Sequence, residues 1–195
     1  MSSTISLSIM ASTARQAFDA DGLALRAATA ADRDFLCEVF VSTRVEEFAR
    51  SGWEPERIDE VLRQQFQLQH EYYRQHYPNG RFNIVELNGV PVGRLYYALR
   101  EEPTGGEWRL IDIALLPAWR GGGLGTQLMH TVLAQAWQQR RAVSLHVERD
   151  NPVRGLYQRL GFVTTGENGV YESMRRACAP HEIHSGLMFP IEQDY

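Results

Sequence analysis

Lysine is absent: all 20 basic residues of the 195 are arginine. That excludes chemistry built on an ε-amine, including Schiff-base catalysis and the phosphate loop that ends in lysine. Cysteine is scarce. Cys37 and Cys178 are the two in the chain and lie far apart, so neither a disulfide framework nor paired zinc ligands is encoded. No apolar run approaches the length of about 18 residues that a membrane span needs. No basic segment precedes an apolar core in residues 1–22, which are rich in Ser, Thr and Ala. That stretch is therefore read as a loosely held extension rather than a secretory signal, and a cytoplasmic location is expected. Excess positive charge is also missing. A net charge of −4 offers no footprint for nucleic acid or an anionic membrane, so neither is expected as a partner. What is present, 44% apolar and 23% charged residues, is an ordinary globular composition that suits one domain over residues 23–176.

The hydrophobic periods divide that domain. Residues 23–28 read as a strand, and Thr29 to Asp32 supply helix-start chemistry. Phe35, Leu36, Val39, Phe40 and Phe48 then fall at helical spacing. Ser51-Gly52 ends that helix, and a second starts near Pro55 and stops at Pro78-Asn79-Gly80. From Phe82 the period becomes two, with Asn88-Gly89 as a hairpin signal and a returning strand over residues 90–99. A third strand covers residues 108–116. A glycine-rich turn leads into a helix over residues 123–140, with Leu124, Leu128, Val132 and Ala136 on one face. A strand over residues 142–148, a helix over 152–160 and a final strand pair turning at residues 166–169 complete the chain. The order β-α-α-β-β-β-α-β-α-β-β describes an α/β fold, a mixed sheet flanked by helices.

Arg120-Gly121-Gly122-Gly123-Leu124-Gly125-Thr126 opens a helix after a strand. Such a turn exposes main-chain N–H groups and the positive end of the helix dipole, which suits a pyrophosphate. The dinucleotide pattern G-x-G-x-x-G fails in both registers, ending on Thr126 or on Leu128. The pattern R-x-x-G-x-G fits Arg120, Gly123 and Gly125. It is followed by the strand Ser144 to Glu148, by Asn151-Pro152, and by Leu156-Tyr157-Gln158-Arg159-Leu160-Gly161-Phe162. Together these segments resemble the GNAT superfamily of acyl-CoA-dependent N-acyltransferases, in order and spacing, across residues 23–175.

The resemblance implies roles. A bulge would splay the strand matching residues 111–116 from the one matching residues 145–147, and the pantetheine arm would enter that gap. Main-chain groups at Ala114, Leu115 and Leu116 would line that gap, with an N–H near Leu115 polarising the thioester carbonyl. Arg120, Gly121, Gly122, Gly123, Leu124, Gly125 and Thr126 would hold the pyrophosphate, and Asn151 would touch the cofactor arm. Asn151 lies six residues before Tyr157, where many members have seven. Tyr157 would protonate the leaving thiolate, although on a helix against the sheet it also fits as a core aromatic.

Asp112 interrupts an apolar strand, where a carboxylate must be paired, solvated at a cleft or functional. His146 and Glu148 share a strand face by period two. In members that modify ribosomal proteins the position matching His146 carries a carboxylate that helps deprotonate the amine; a structural histidine is the alternative. Asp112 and Glu148 are the further candidate bases. Trp53, Phe66, His70, Tyr72, Tyr73, His76 and Tyr77, on the acceptor-side helices, either pack on the sheet or line an amine pocket. The expectation is an enzyme that moves an acetyl group from acetyl-CoA, its cosubstrate, to a primary amine of a small molecule or peptide within a ternary complex, with no metal. The alternative is a non-catalytic acyl-CoA-binding or sensing module. A tail over residues 177–195, with apolar Leu187, Met188, Phe189 and Ile191, either docks on the body or meets a partner, a homodimer included.

Overall fold

Asn88 and Gly89 both take positive φ, 53° and 75°, the mirror-image turn whose twist matches that of the strands it joins. It connects β2 (Arg81–Leu87) to β3 (Val90–Arg100), and β1 (Leu23–Ala27) pairs antiparallel with the outer side of β2. The computed structural model describes residues 22–101 and 106–178. Of the expected N-terminal extension over residues 1–22 and tail over 177–195, residues 1–21 and 179–195 lie outside the described residues, as does the turn at Pro103.

Between β1 and β2 come α1 (Arg33–Phe48) and α2 (Pro55–His76). After β3 follow β4 (Glu107–Leu115), α3 (Leu124–Gln138), β5 (Ala142–Glu148), α4 (Arg154–Arg159), β6 (Val163–Asn168) and β7 (Tyr171–Arg176). The strands form one mixed sheet in the order β1-β2-β3-β4-β5-β7-β6. This is the expected order of elements.

Each face of the sheet carries its own core. On one face Leu124, Leu128, Met129, Val132 and Leu133 of α3 meet Val85, Leu95, Leu110, Leu145 and Met174, and Tyr157 and Phe162 close the same cluster. On the other, Leu36 and Phe40 of α1 and Leu62 and Phe66 of α2 cover Ile84 and Tyr96. These apolar stripes recur at helical spacing and supply most of the stabilisation of both layers. Cys37 is a buried free thiol and Cys178 an exposed one. Among the described residues no helix is long and apolar enough to cross a membrane.

One expected boundary is corrected. The turn predicted at residues 166–169 is shorter, because β6 continues through Gly166, Glu167 and Asn168, which pair with Ser173, Glu172 and Tyr171. Only Gly169 and Val170 turn, with Gly169 at φ 61°. β6 is exposed along its whole length, so no alternation of apolar residues announces it as a strand.

Candidate active site

β4 and β5 run parallel but stay together briefly. They pair only at Glu107, Trp108 and Arg109 with Ala142, Val143 and Ser144. The cause lies in β4, where the register against β3 shifts between Tyr96↔Asp112 and Tyr97↔Leu110, leaving Ile111 as an extra residue. Such a bulge bends its strand and ends pairing. Beyond it β4 leaves β5, while β5 remains paired with β7 as far as Glu148. A tapering gap therefore opens between two strands of one sheet.

The alternation of β structure sets which groups face that gap. Leu116 donates its N–H to the Val92 carbonyl (2.9 Å) on β3. The Ala114 carbonyl also lies on that side, where a Cβ on Gly93 would come within 2.3 Å of it. The main chain of Ile113 and Leu115 accordingly faces the gap, and that of the predicted lining residues Ala114 and Leu116 does not. Arg120 donates from Nε to the Leu115 carbonyl (2.7 Å) and from Nη2 to Ser42 Oγ (2.8 Å). Its side chain thus ties the end of β4 to α1.

At the mouth of the gap Gly121 and Gly123 hold φ at 77° and 93°, a region costly for residues with a Cβ. The first helical bond of α3 runs from Gln127 N–H to the Gly123 carbonyl (3.0 Å). The N–H groups of Leu124, Gly125 and Thr126 consequently have no acceptor within the helix. Gly125 is the informative glycine: a Cβ there would meet nothing nearer than Leu115 Cδ1 at 3.9 Å. The packing of the chain does not require glycine at that position. Close approach of an anion to the main chain would require it, and the turn has the shape and the free amides to fit a pyrophosphate.

The polar groups gather on the α1/α2 side. Asp112 is gripped by Arg94 through Nη2–Oδ2 (2.8 Å) and Nε–Oδ1 (3.2 Å), and Arg94 is 3% exposed. Gln69 accepts a further bond from Arg94 (3.3 Å), and Tyr73 donates its hydroxyl to Asp112 Oδ2 (3.5 Å). Burial raises the pKa of the Tyr73 phenol, and it pushes that of Tyr96 up to about 12. The Tyr96 hydroxyl is buried with no partner among the described residues.

His146 and Glu148 share the exposed face of β5, as their spacing predicts. Burial, and then the charges of Arg109 and Arg100, lower the His146 pKa, so the imidazole is neutral at pH 7. Glu148 accepts a bond from the Tyr171 hydroxyl (3.2 Å). Tyr157 comes from the opposite face of the sheet. It is 5% exposed, and burial, followed by the charge of Asp112, raises its phenol pKa. Its ring is core, and its hydroxyl stays protonated within the field of Asp112.

Other expected residues fall elsewhere. Asn151 Oδ1 accepts the Val153 N–H (3.0 Å) and its carbonyl accepts the Arg154 N–H (3.0 Å), which shapes the turn into α4. Trp53 is exposed beneath Arg57, Tyr72 stacks on His76 at the surface, and Phe66 is core. His70 packs against Phe66. Of that aromatic set, Tyr73 and Tyr77 adjoin the polar cluster. Arg94, Tyr96, Arg109 and Ser144 were not picked out from the sequence. A usable signal existed for Arg94, a charge within the apolar strand β3 that mirrors Asp112 in β4.

Residues 43–162 match the acetyltransferase (GNAT) family. A curated relative, the 5-NmdU N-acetyltransferase of Pseudomonas phage PaMx11, is 31% identical over 93 residues, 47% of this chain and 64% of its own length. The chain thus spans somewhat under two thirds of that relative. Among solved structures, PaiA N-acetyltransferase from Thermoplasma acidophilum in complex with coenzyme A superposes with a TM-score of 0.60 at 17% identity, covering 80% of this chain and 98% of that one. An acetyltransferase from Corynebacterium glutamicum, described with histone acetyltransferase HPA2, gives 0.57 at 23% identity, covering 83% and 99%. At these identities the likeness is one of fold.

Proposed function

The chain belongs to the acetyltransferase (GNAT) family, and from that premise we propose that it transfers the acetyl group of acetyl-CoA to a primary amine by direct attack. The observation that carries this reading is the gap between β4 and β5, edged by the main chain of Ile113 and Leu115 and opening onto the glycine turn. A thioester is an acyl donor that an uncharged amine attacks without a covalent enzyme intermediate, so the residues need only bind, orient and move protons. The amides of Leu124, Gly125 and Thr126, with the turn Gly121-Gly122-Gly123 before them, hold the pyrophosphate. The N–H of Leu115 faces the gap and stabilises negative charge on the carbonyl oxygen.

His146, neutral at pH 7, takes the proton of the attacking amine directly or through one water. Asp112 is less suited to that task because Arg94 and Tyr73 already engage its carboxylate oxygens. Its task is to orient Tyr73. As nitrogen bonds to the carbonyl carbon and the C–S bond breaks, Tyr157 gives its phenolic proton to the thiolate. A raised pKa keeps that proton in place until sulfur becomes negative.

Thiol release from acetyl-CoA, measured with a panel of primary amines, tests the reading. Tyr157→Phe keeps the ring and the packing on Phe162, so turnover should fall about 10²-fold while acetyl-CoA affinity stays within a few fold. Intact turnover would make Tyr157 a core aromatic alone. Wild-type protein that binds acetyl-CoA yet releases no thiol with any amine would be a binding module.

A further inference from the structure

Two arginines lie buried beneath the polar cluster, and among the described residues only one of them makes an ion pair. Arg94 is 3% exposed and paired with Asp112. Arg109 is 5% exposed and donates to a neutral oxygen, Ser144 Oγ at 3.4 Å, with the Tyr77 phenol nearby. Ser144 in turn donates to Glu107 Oε1 (2.7 Å), whose other oxygen is held by Arg175 at 3.4 Å. Glu107 is thus shared: Arg175 holds one of its oxygens directly, and Arg109 meets the carboxylate only through the Ser144 hydroxyl. His146, held neutral, adds no negative charge, and Arg100 adds to the positive field. Among the described residues no carboxylate touches the Arg109 guanidinium in this dehydrated place, an arrangement that costs stability unless something else supplies the anion.

Its location says what that is. Arg109 and Ser144 form the last paired residues before β4 and β5 part, so the guanidinium sits at the floor of the gap on the face that also carries Asp112 and Tyr73. His146 stands two residues above Ser144 on β5, about 7 Å along the strand. Tyr73 and Tyr77, rings edge-on at 6.3 Å, join Asp112 to Arg109 across the same floor. We propose that Arg109 is the acceptor-recognition residue and that the acceptor is a primary amine carrying an anionic oxygen group, a carboxylate or a phosphate. The planar fork of the guanidinium suits both. The proposal rests on the acetyl-transfer reading above and adds the charge class of the acceptor to it.

Matched pairs decide it. Glycine, β-alanine, 4-aminobutyrate and 5-aminovalerate are compared with the amino alcohols of equal length, and O-phosphoethanolamine with ethanolamine, by thiol release from acetyl-CoA. In at least one pair the acid should exceed its neutral partner in kcat/KM by about tenfold or more, the range of a charge-assisted hydrogen bond. The favoured chain length gives the spacing, and the phosphate pair separates phosphate from carboxylate. Arg109→Gln should bring that ratio close to one, mainly through KM, whereas Arg109→Lys should keep part of it. If Arg109→Gln fails to fold, the wild-type ratio and the lysine variant still decide. Amino alcohols or uncharged amines used as well as the acids would overturn the proposal and leave acetyl transfer standing. Thiol release with no amine of either series would instead remove the acetyl-transfer reading, and this one with it.

Discussion

Gly125→Ala separates what the glycine turn does for the fold from what it does for a ligand. A Cβ at this position approaches Leu115 Cδ1 no closer than 3.9 Å, an ordinary contact, and Gly125 lies in the first turn of α3. Replacing a helical glycine by alanine removes an entropic cost of up to about 1 kcal/mol. For a chain of this size each kcal/mol moves Tm by about 2–4 °C, so the free variant should melt no lower than the wild type and up to about 4 °C higher. Ligand linkage works in the opposite sense. With acetyl-CoA at 100 times its Kd the wild type gains about 2.7 kcal/mol, or about 5–11 °C. If the new methyl group weakens binding about 100-fold by holding the pyrophosphate off the amides, the same concentration gives only about 0.4 kcal/mol, near 1–2 °C. Differential scanning fluorimetry with and without acetyl-CoA reads both numbers. Gly123→Ala is the contrast: at φ 93° an added Cβ is strained, and the free protein itself should lose about 1–2 kcal/mol. A Gly125→Ala variant that keeps the full ligand shift would refute phosphate binding at this turn.

Further outcomes follow from the polar cluster. With His146 as base, the acid limb of the kcat/KM profile should lie below the ordinary imidazole value of about 6.5, because burial and the neighbouring arginines lower its pKa; His146→Ala should remove that limb. Stability carries the same sign. The unfolded chain takes up the proton first, so the contribution of His146 is whole above its ordinary pKa and is lost as pH falls through the depressed folded value; thermal melts of His146→Ala should be flatter across that window. Arg94→Met strands Asp112 and should cost about 3 kcal/mol, the lower end for a broken buried pair because Asp112 keeps 14% exposure. In urea titrations the double variant Arg94→Met/Asp112→Leu should recover most of that loss, and additive losses would contradict the coupling.

Much of the fold was legible because its signals are local. Asn88-Gly89 announces its hairpin, the stripe from Leu124 to Ala136 its helix, and Arg120 to Thr126 the turn between strand and helix. Resemblance to a known family supplied the candidate site around Tyr157. What stayed hidden depends on register. The pairing of Arg94 with Asp112 exists because Ile111 bulges and shifts β4 by one residue, and no pattern in residues 107–115 marks that bulge. That no carboxylate among the described residues touches Arg109 is harder still, since it depends on what Glu107, Ser144 and Arg175 do in three different strands. The main-chain directions at Ala114, Leu115 and Leu116 likewise follow from which neighbour each residue meets.

The early parting of β4 from β5 gives this sheet four edges instead of two. An unpaired edge is a template on which a stray strand of another molecule can add, the first step towards aggregation. The two inner edges are protected by shape and by occupancy. They diverge, so a straight strand can follow one but not both. The bulge at Ile111 twists one of them away from a regular ladder. Arg120 blocks the same edge at its open end by engaging the Leu115 carbonyl, a hydrogen-bond acceptor that an invading strand would otherwise use. The aperture is thereby a poor template for an added strand, and Arg120, from the same motif as the glycine turn, caps with its side chain an acceptor that such a strand would need.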